Sequence, residues 1–494
     1  MKIGFDNAMY IKMQSERIKE RIAQFGGKLY LEFGGKLFDD THASRVLPGF
    51  EPDSKLKMLL ELKDQAEIVI AVSAGALESS KRRGDTGITY DMEVLRLIDM
   101  FRGVGLYVGS VVITQYAGQQ SADQLKTVLE SHDIRVFRHY VIEGYPSNVK
   151  HIVSEDGFGK NEYIETSRSL IVMTAPGPGS GKMATCLSQL YHENKRGISA
   201  GYAKFETFPI WNLPLGHPVN LAYEAATADL SDVNMIDPYH LQAYGVPTVN
   251  YNRDVEVFPV LTAIFQKIYG TCPYKSPTDM GVNMIGYCIS DEGVVSEAAK
   301  QEIIRRYYAA LMENSKGKNT SDKEIKTIEL IMDKAGVSPE DRHAVGPALA
   351  LEEETGRPCA AIELSDGTII TGKTKDKLGA CSAMLINAIK YLAGIDDAIE
   401  LVPAYLLDPV QKLKVGYLGS KNPRLHTDET LIAIAVAAAT DPNAALALSK
   451  LPELRGCNAH STVVPSSIDL ALFRRLKINL TCDPKYQDNK LFRL

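Results

Sequence analysis

The sequence has no run approaching the roughly 18 apolar residues that a membrane span requires. Its first residues, Met1-Lys2-Ile3-Gly4-Phe5-Asp6, bring in charge before an apolar core can form, which is no secretory signal. A cytosolic protein without membrane attachment is therefore expected. No C-x-x-C occurs, and the seven cysteines (186, 272, 288, 359, 381, 457 and 482) are odd in number and widely spaced, which argues against a disulfide framework. The two-histidine helix of a zinc peptidase is also missing, because the nearest string, His192-Glu193-Asn194-Lys195-Arg196, lacks the second histidine. Nor is there an excess of positive charge: 55 Lys and Arg against 61 Asp and Glu give −6, which argues against a nucleic-acid partner. What remains is ordinary globular composition over 494 residues. At about 100–200 residues per domain, that length predicts three or four domains.

The most informative stretch is 167–190. Leu170 to Met173 is an unbroken apolar run, as in a central parallel strand, and Lys182 to Leu190 has helical apolar spacing. Between them lies Gly177-Pro178-Gly179-Ser180-Gly181-Lys182. Glycines let backbone N–H groups converge on a concave turn, the helix N-terminus adds partial positive charge, and Lys182 adds a full one, a combination that holds phosphates. Against the pattern G-x-x-x-x-G-K-[ST], Pro176 fills the first glycine slot and Met183 the hydroxyl slot. The stretch resembles the loop of adenylate-kinase-type nucleotide kinases. Thr185, the first hydroxyl available, is two residues late, which turns it about 200° around the helix. Gly177, Gly179, Ser180, Gly181, Lys182 and Thr185 are thus candidate phosphate-ligand residues, with ATP or GTP and Mg²⁺ as the expected cofactor. The alternative is a tight turn whose lysine faces solvent.

Periodicity predicts helices at 10–25, 54–66, 90–102, 121–131 and 182–194, and strands near 28–33, 67–72, 109–114, 135–140, 169–174 and 201–208. This alternation implies a mainly parallel sheet flanked by helices, with the phosphate-loop strand internal. The polar segment 39–50, with Asp39, Asp40, His42 and Arg45, reads as an active-site loop or a solvated connector. Arg82 and Arg83, with Lys81, lie past the strand 67–72 and could neutralise transferring phosphates, or simply form an exposed loop. His217, in a Pro-bounded loop, is a candidate base. Asp237, ending the run Val233-Asn234-Met235-Ile236, is a candidate second carboxylate of a nucleotide site, although short apolar runs often end in Asp.

A helix at 254–269 closes this portion, 1–290. Lysine- and glutamate-rich helices at 296–314 and 321–335 predict a hairpin within 291–345, usable as a spacer or a homo-oligomer contact. The remainder, 346–494, reads as a smaller α/β or α+β domain. It contains a hairpin about Ser365-Asp366-Gly367, a helix at 377–393, a strand at 398–402, and a helix at 427–439 that is apolar all round and so expected to be buried. Cys381 near a helix start, and Cys457 three residues before His460, could be nucleophiles or, for the pair, part of a metal site. Small core cysteines are the plainer reading.

With the phosphate loop, Leu-Pro-Leu-Gly-His-Pro-Val-Asn at 213–220 and Gly-Cys-Asn-Ala-His-Ser-Thr at 456–462 in one chain, the sequence resembles a bacterial family of cytosolic proteins of about 500 residues, described as a domain of unknown function. The resemblance implies a large α/β portion, a helical insertion and a C-terminal portion of deaminase-like topology. It carries over no catalytic residues. The zinc signature H-x-E with P-C-x-x-C is missing, which argues against deamination. Taken together, a nucleotide-dependent phosphotransferase or ligase acting on a small molecule is expected. The alternatives are a nucleotide sensor without turnover and a cysteine-dependent hydrolase or transferase.

Overall fold

The computed structural model describes residues 2–38, 40–84, 86–230, 232–317 and 322–487. The chain divides into two compact units, one holding 3–223 and 232–295, the other the described residues of 224–230 and 296–487.

In the first unit, six strands form one parallel sheet: β1 (Leu29–Phe33), β2 (Ala66–Ser73), β3 (Tyr107–Tyr116), β4 (Arg135–Tyr140), β5 (Leu170–Thr174) and β6 (Gly201–Phe205). Their order is β4-β3-β2-β5-β1-β6, so β5 is internal as expected. Every residue of β1, β2 and β5 is buried, which the near-continuous apolar runs anticipate for strands covered on both faces. One core cluster joins Tyr30, Ile171 and Met173 of the sheet to Leu187 and Leu190 of helix Lys182–Lys195 and to Phe258, Leu261 and Phe265 of helix Asn252–Tyr269. Each such side chain contributes roughly 1.5–3 kcal/mol on burial. A short antiparallel pair, β7 (Asn234–Ile236) and β8 (Val249–Tyr251), stands apart from the sheet. Because all six strands of the sheet run the same way, their carboxyl ends share one edge, where open α/β sheets place ligands.

The second unit contains helices Glu292–Ser315, for its part from 296 onward, and Asp322–Ala335, and a mixed sheet of β9 (Cys359–Glu363), β10 (Ile369–Lys373), β11 (Asn458–Ser461) and β12 (Asn479–Cys482). The order is β10-β9-β11-β12, with β9 antiparallel to β10 and β11, and β11 parallel to β12. The predicted β9–β10 hairpin forms around Gly367 at φ +87°, where Asp366 accepts the Thr368 N–H at 2.9 Å.

Two expectations fail here. Residues 398–402 form no strand: Lys390 of helix Ala380–Leu392 donates to the carbonyls of Asp397 and Ile399 at 2.9 and 2.8 Å, so a side chain takes the acceptors a ladder would use. Helix Thr427–Ala437 is not buried all round. Thr430, Ala433, Ile434 and Ala437 make one buried stripe at helical spacing, whereas Ile432 and Val436 on the other side are 63% and 57% exposed. Among the described residues no helix is long and apolar enough to cross a membrane.

Candidate functional site

At the end of β5 the chain enters the glycine-rich turn and then helix Lys182–Lys195. Gly179 and Gly181 adopt φ +77° and +79°, the left-handed region that glycine reaches without a Cβ clash. The turn is held internally by Ser180 Oγ donating to the Gly177 carbonyl at 2.9 Å, and externally by Thr114 of β3, whose Oγ1 donates to the Ser180 carbonyl at 2.9 Å. Gly177 is required for another reason: a Cβ there would lie 2.2 Å from the Tyr90 hydroxyl. Among the described residues, the backbone N–H groups of Gly177, Gly179, Ser180, Gly181, Lys182, Met183 and Ala184 donate no hydrogen bond. The half-buried Lys182 side chain likewise has no hydrogen-bond or ion-pair partner there.

The other residues singled out from the sequence are placed less uniformly. Thr185 is fully buried, with its hydroxyl unpartnered. Arg83 pairs with the buried Glu93, and Arg82 donates to the Gly87 carbonyl at 2.9 Å, so both guanidinium groups hold their own loop and its following helix. Lys81 is the basic residue linked to the turn, its ammonium 5.3 Å from the ring centre of Tyr90, the residue that packs on Gly177.

His217 is buried, accepts the Val219 N–H at 3.2 Å on Nδ1 and pairs through Nε2 with Glu292, which makes it a helix-start anchor. Asp237 is wholly buried and caps helix Pro238–Tyr244. Its Oδ1 accepts the N–H groups of Tyr239 and His240, both at 3.0 Å, and its Oδ2 accepts the Thr278 N–H and hydroxyl at 3.1 and 2.7 Å. Four donors occupy the carboxylate, leaving it a structural cap. In the 39–45 segment, Asp39 lies outside the described residues. Asp40 pairs with buried Lys55 at 2.7 Å; burial would raise its carboxyl, but the ammonium more than offsets this and holds it low.

A charged cluster at the carboxyl ends of β1 and β6 went unremarked in the sequence. Glu32 of β1 stands level with Met173 of β5 and accepts the Tyr202 hydroxyl at 2.6 Å. Lys204 of β6 reaches Asp254 at 2.6 Å and Glu206 at 3.1 Å. Glu206 lies across Gly34, where a Cβ would come within 2.7 Å of its Cγ. Burial, reinforced by Asp254 and Glu32, pushes the Glu206 carboxyl up to about 7 despite Lys204. Burial alone would lower Lys204, but the surrounding carboxylates hold it above its ordinary value. Glu32 also acts electrostatically on Cys186, one turn along the helix that starts at Lys182. At about 4.8 Å per strand, β6 lies roughly 10 Å from β5. A visible signal was Leu29-Tyr30-Leu31-Glu32, an apolar run ending in a carboxylate beside the strand that carries the turn.

Two cavities adjoin this edge. The smaller, about 50 Å³, is lined by Lys204, Glu206 and Asp254 among others, and the larger, about 390 Å³, by Arg21, Trp211 and Tyr287 among others. They share Trp211, Thr278, Gly281 and Asn283. Neither includes the glycine turn.

In the second unit the thiols are sealed. Burial raises Cys457 to about 11 and pushes Cys381 higher still, the opposite of what a nucleophilic thiolate needs. Cys457 directly precedes β11, and His460 three positions later turns instead to Thr481 Oγ1 at 3.0 Å, because residues three apart along extended chain point to opposite faces. Among the described residues no group of three or more His, Cys, Asp or Glu could hold a metal ion.

A parallel α/β unit with a glycine-rich strand-to-helix turn, followed by a mixed-sheet unit, defines the class of protein. The chain belongs to the family described as domain of unknown function DUF1846: the N-terminal domain of that family matches residues 3–336 and its C-terminal domain residues 340–492. The chain is similar to a UPF0371 protein of Streptococcus thermophilus strain CNRZ 1066, with 56% identity over 492 residues spanning 100% of this chain and 99% of that protein. It is equally similar to a UPF0371 protein of Streptococcus pyogenes serotype M5, at 56% over 491 residues and 99% of each chain.

Proposed function

We propose that this chain binds a small phosphate-bearing molecule at the 177–184 turn, with ATP and GTP the class that such a turn suits. The observation that carries the reading is the seven backbone N–H groups without acceptors among the described residues, beside the unpartnered Lys182. Oriented N–H groups at a helix start, together with a lysine, are what a phosphate's oxygens require. Phosphotransfer or nucleotide-driven ligation is the activity that the neighbouring Glu32 and the Lys204–Glu206–Asp254 cluster would serve, since phosphoryl transfer rests on positioning and electrostatics. Met183 in the hydroxyl slot and the buried Thr185 favour a second reading, a sensor that holds the nucleotide without turnover.

The test is thermal stabilisation by ATP, GTP, AMP and pyrophosphate, with and without Mg²⁺, on the wild type and Lys182→Ala. Stabilisation of the wild type that Lys182→Ala loses is expected. If no compound stabilises either protein, or both respond equally, the phosphate reading fails. Turnover of a stabilising nucleotide would exclude the sensor.

A further inference from the structure

The 390 Å³ cavity falls within the roughly 300–1,000 Å³ of small-molecule sites. Its walls come from helix Asn7–Gln24, from Trp211 and from the 278–287 segment. Arg21 is the notable member. It is only 6% exposed, yet no carboxylate lies within ion-pair distance among the described residues. Its guanidinium donates to Gln24 Oε1 at 3.3 Å, to the Gly281 carbonyl at 3.2 Å and to the Asp279 carbonyl. Three bonds from five N–H groups leave two, and Nε is buried without a partner. A buried guanidinium bonded to neutral oxygens alone retains a full positive charge without an ion-pair partner.

No carboxylate around the cavity forms an ion pair with it among the described residues, although Asp279 acts on it electrostatically from farther off. Glu16 and Glu20 are exposed, and Glu20 pairs with Arg17 at 2.9 Å. Asp279 is occupied by the Tyr244 hydroxyl and the Lys275 N–H at 2.8 and 2.9 Å. The opposite character comes from Trp211 and Tyr287, whose rings meet edge to face at 5.8 Å, and from Met13 and Met284. Trp211 is fixed in place by its indole N–H donating to the Asn283 carbonyl at 2.8 Å.

We infer that this cavity is a binding site for a small molecule with a flat apolar body and one oxyanion group, carboxylate or phosphate, the body lying against Trp211 and Tyr287 and the oxyanion meeting Arg21. Guanidinium suits either oxyanion because it keeps its charge and its remaining N–H groups can donate to an oxygen. The site is separate from the glycine turn and stands or falls independently of it.

Trp211 is the single tryptophan of the chain, so its fluorescence reports occupancy of the cavity directly. The experiment titrates the full-length protein with benzoate, phenyl phosphate and the neutral benzamide. A saturable change with at least one anion and none with benzamide is expected, and the tighter anion identifies the oxyanion. Arg21→Gln is expected to weaken that binding at least about tenfold, the loss of a charge-assisted contact. Tyr287→Leu, at a largely exposed position, is expected to weaken it about threefold through the lost ring contact. Lys182→Ala is expected to leave it unchanged. The absence of a saturable change with both anions, an equal response to benzamide, or wild-type affinity in a folded Arg21→Gln protein would overturn the inference. Should Arg21→Gln fail to fold, the anion-to-neutral comparison on the wild type and the Tyr287→Leu affinity decide it.

Discussion

Asp237 and Glu206 are both carboxylates standing one residue past a strand, the first wholly buried and the second half-buried, and their surroundings differ in kind. Asp237 is met by N–H and O–H groups from its own helix start and from Thr278. Glu206 is met by an ammonium at 3.1 Å and by the field of two further carboxylates. Neutral donors that fill every lone pair fix a carboxylate as architecture. Charged neighbours that compete for it leave its protonation sensitive to whatever enters the site. The nature of the partners, beyond the degree of burial, separates a cap from a group available for chemistry.

The largest expected effect comes from removing the charge that balances the Glu206 cluster. Lys204→Met leaves Asp254, Glu206 and Glu32 facing one another in a shielded site, and a loss of about 3–5 kcal/mol is expected from denaturant unfolding. A loss below about 1 kcal/mol would mean that the cluster is as solvated as an ordinary surface pair and would erase the contrast.

Asp237→Ala comes next. It removes a helix cap and strands the Thr278 donors, for an expected cost of about 2 kcal/mol, with Asp237→Asn costing about half as much. Ligand binding at the glycine turn should be untouched in the Asn variant. Lost binding with unchanged stability would move Asp237 out of the architectural class.

The third test is a pH dependence. In the folded protein the Glu206 carboxyl sits near 7, above its ordinary 4.5, so the fold favours the protonated form. Its contribution to stability is fully present below about pH 4.5, declines as pH rises towards 7, and is gone above that. The melting temperature of Glu206→Gln relative to wild type should therefore rise across this window. A flat difference would place Glu206 with Asp237.

The legible parts of the molecule follow from local pattern. Continuous apolar runs between helical periods identified the parallel sheet, and Asp366-Gly367 identified the β9–β10 turn. Gly177 to Lys182 marked a turn whose unpartnered N–H groups the structure places at the sheet's carboxyl edge. The fate of Asp237 was also readable, since Asp followed by Pro238 is a helix-start signature. Hidden were the features made by residues distant in sequence. Lys204 meets Asp254 from 50 positions away, and Arg21 meets the carbonyl of Gly281 across 260. Helix Thr427–Ala437 shows a different limit: where every position from 431 to 437 is apolar, periodicity carries no direction, and only tertiary contact decides which side is covered.

The position of β5 between β2 and β1 has a consequence for assembly. In the finished sheet β1 and β2 are not neighbours; each borders a slot that a strand some hundred residues downstream must fill. Until residues 170–174 have been synthesised, that slot presents two open strand edges, the kind of surface that invites mispairing. A chain cut short before this point cannot close the sheet. The strand that closes it is the one that carries the glycine-rich turn, so completing the fold and presenting the turn's N–H groups are a single, late, non-local event.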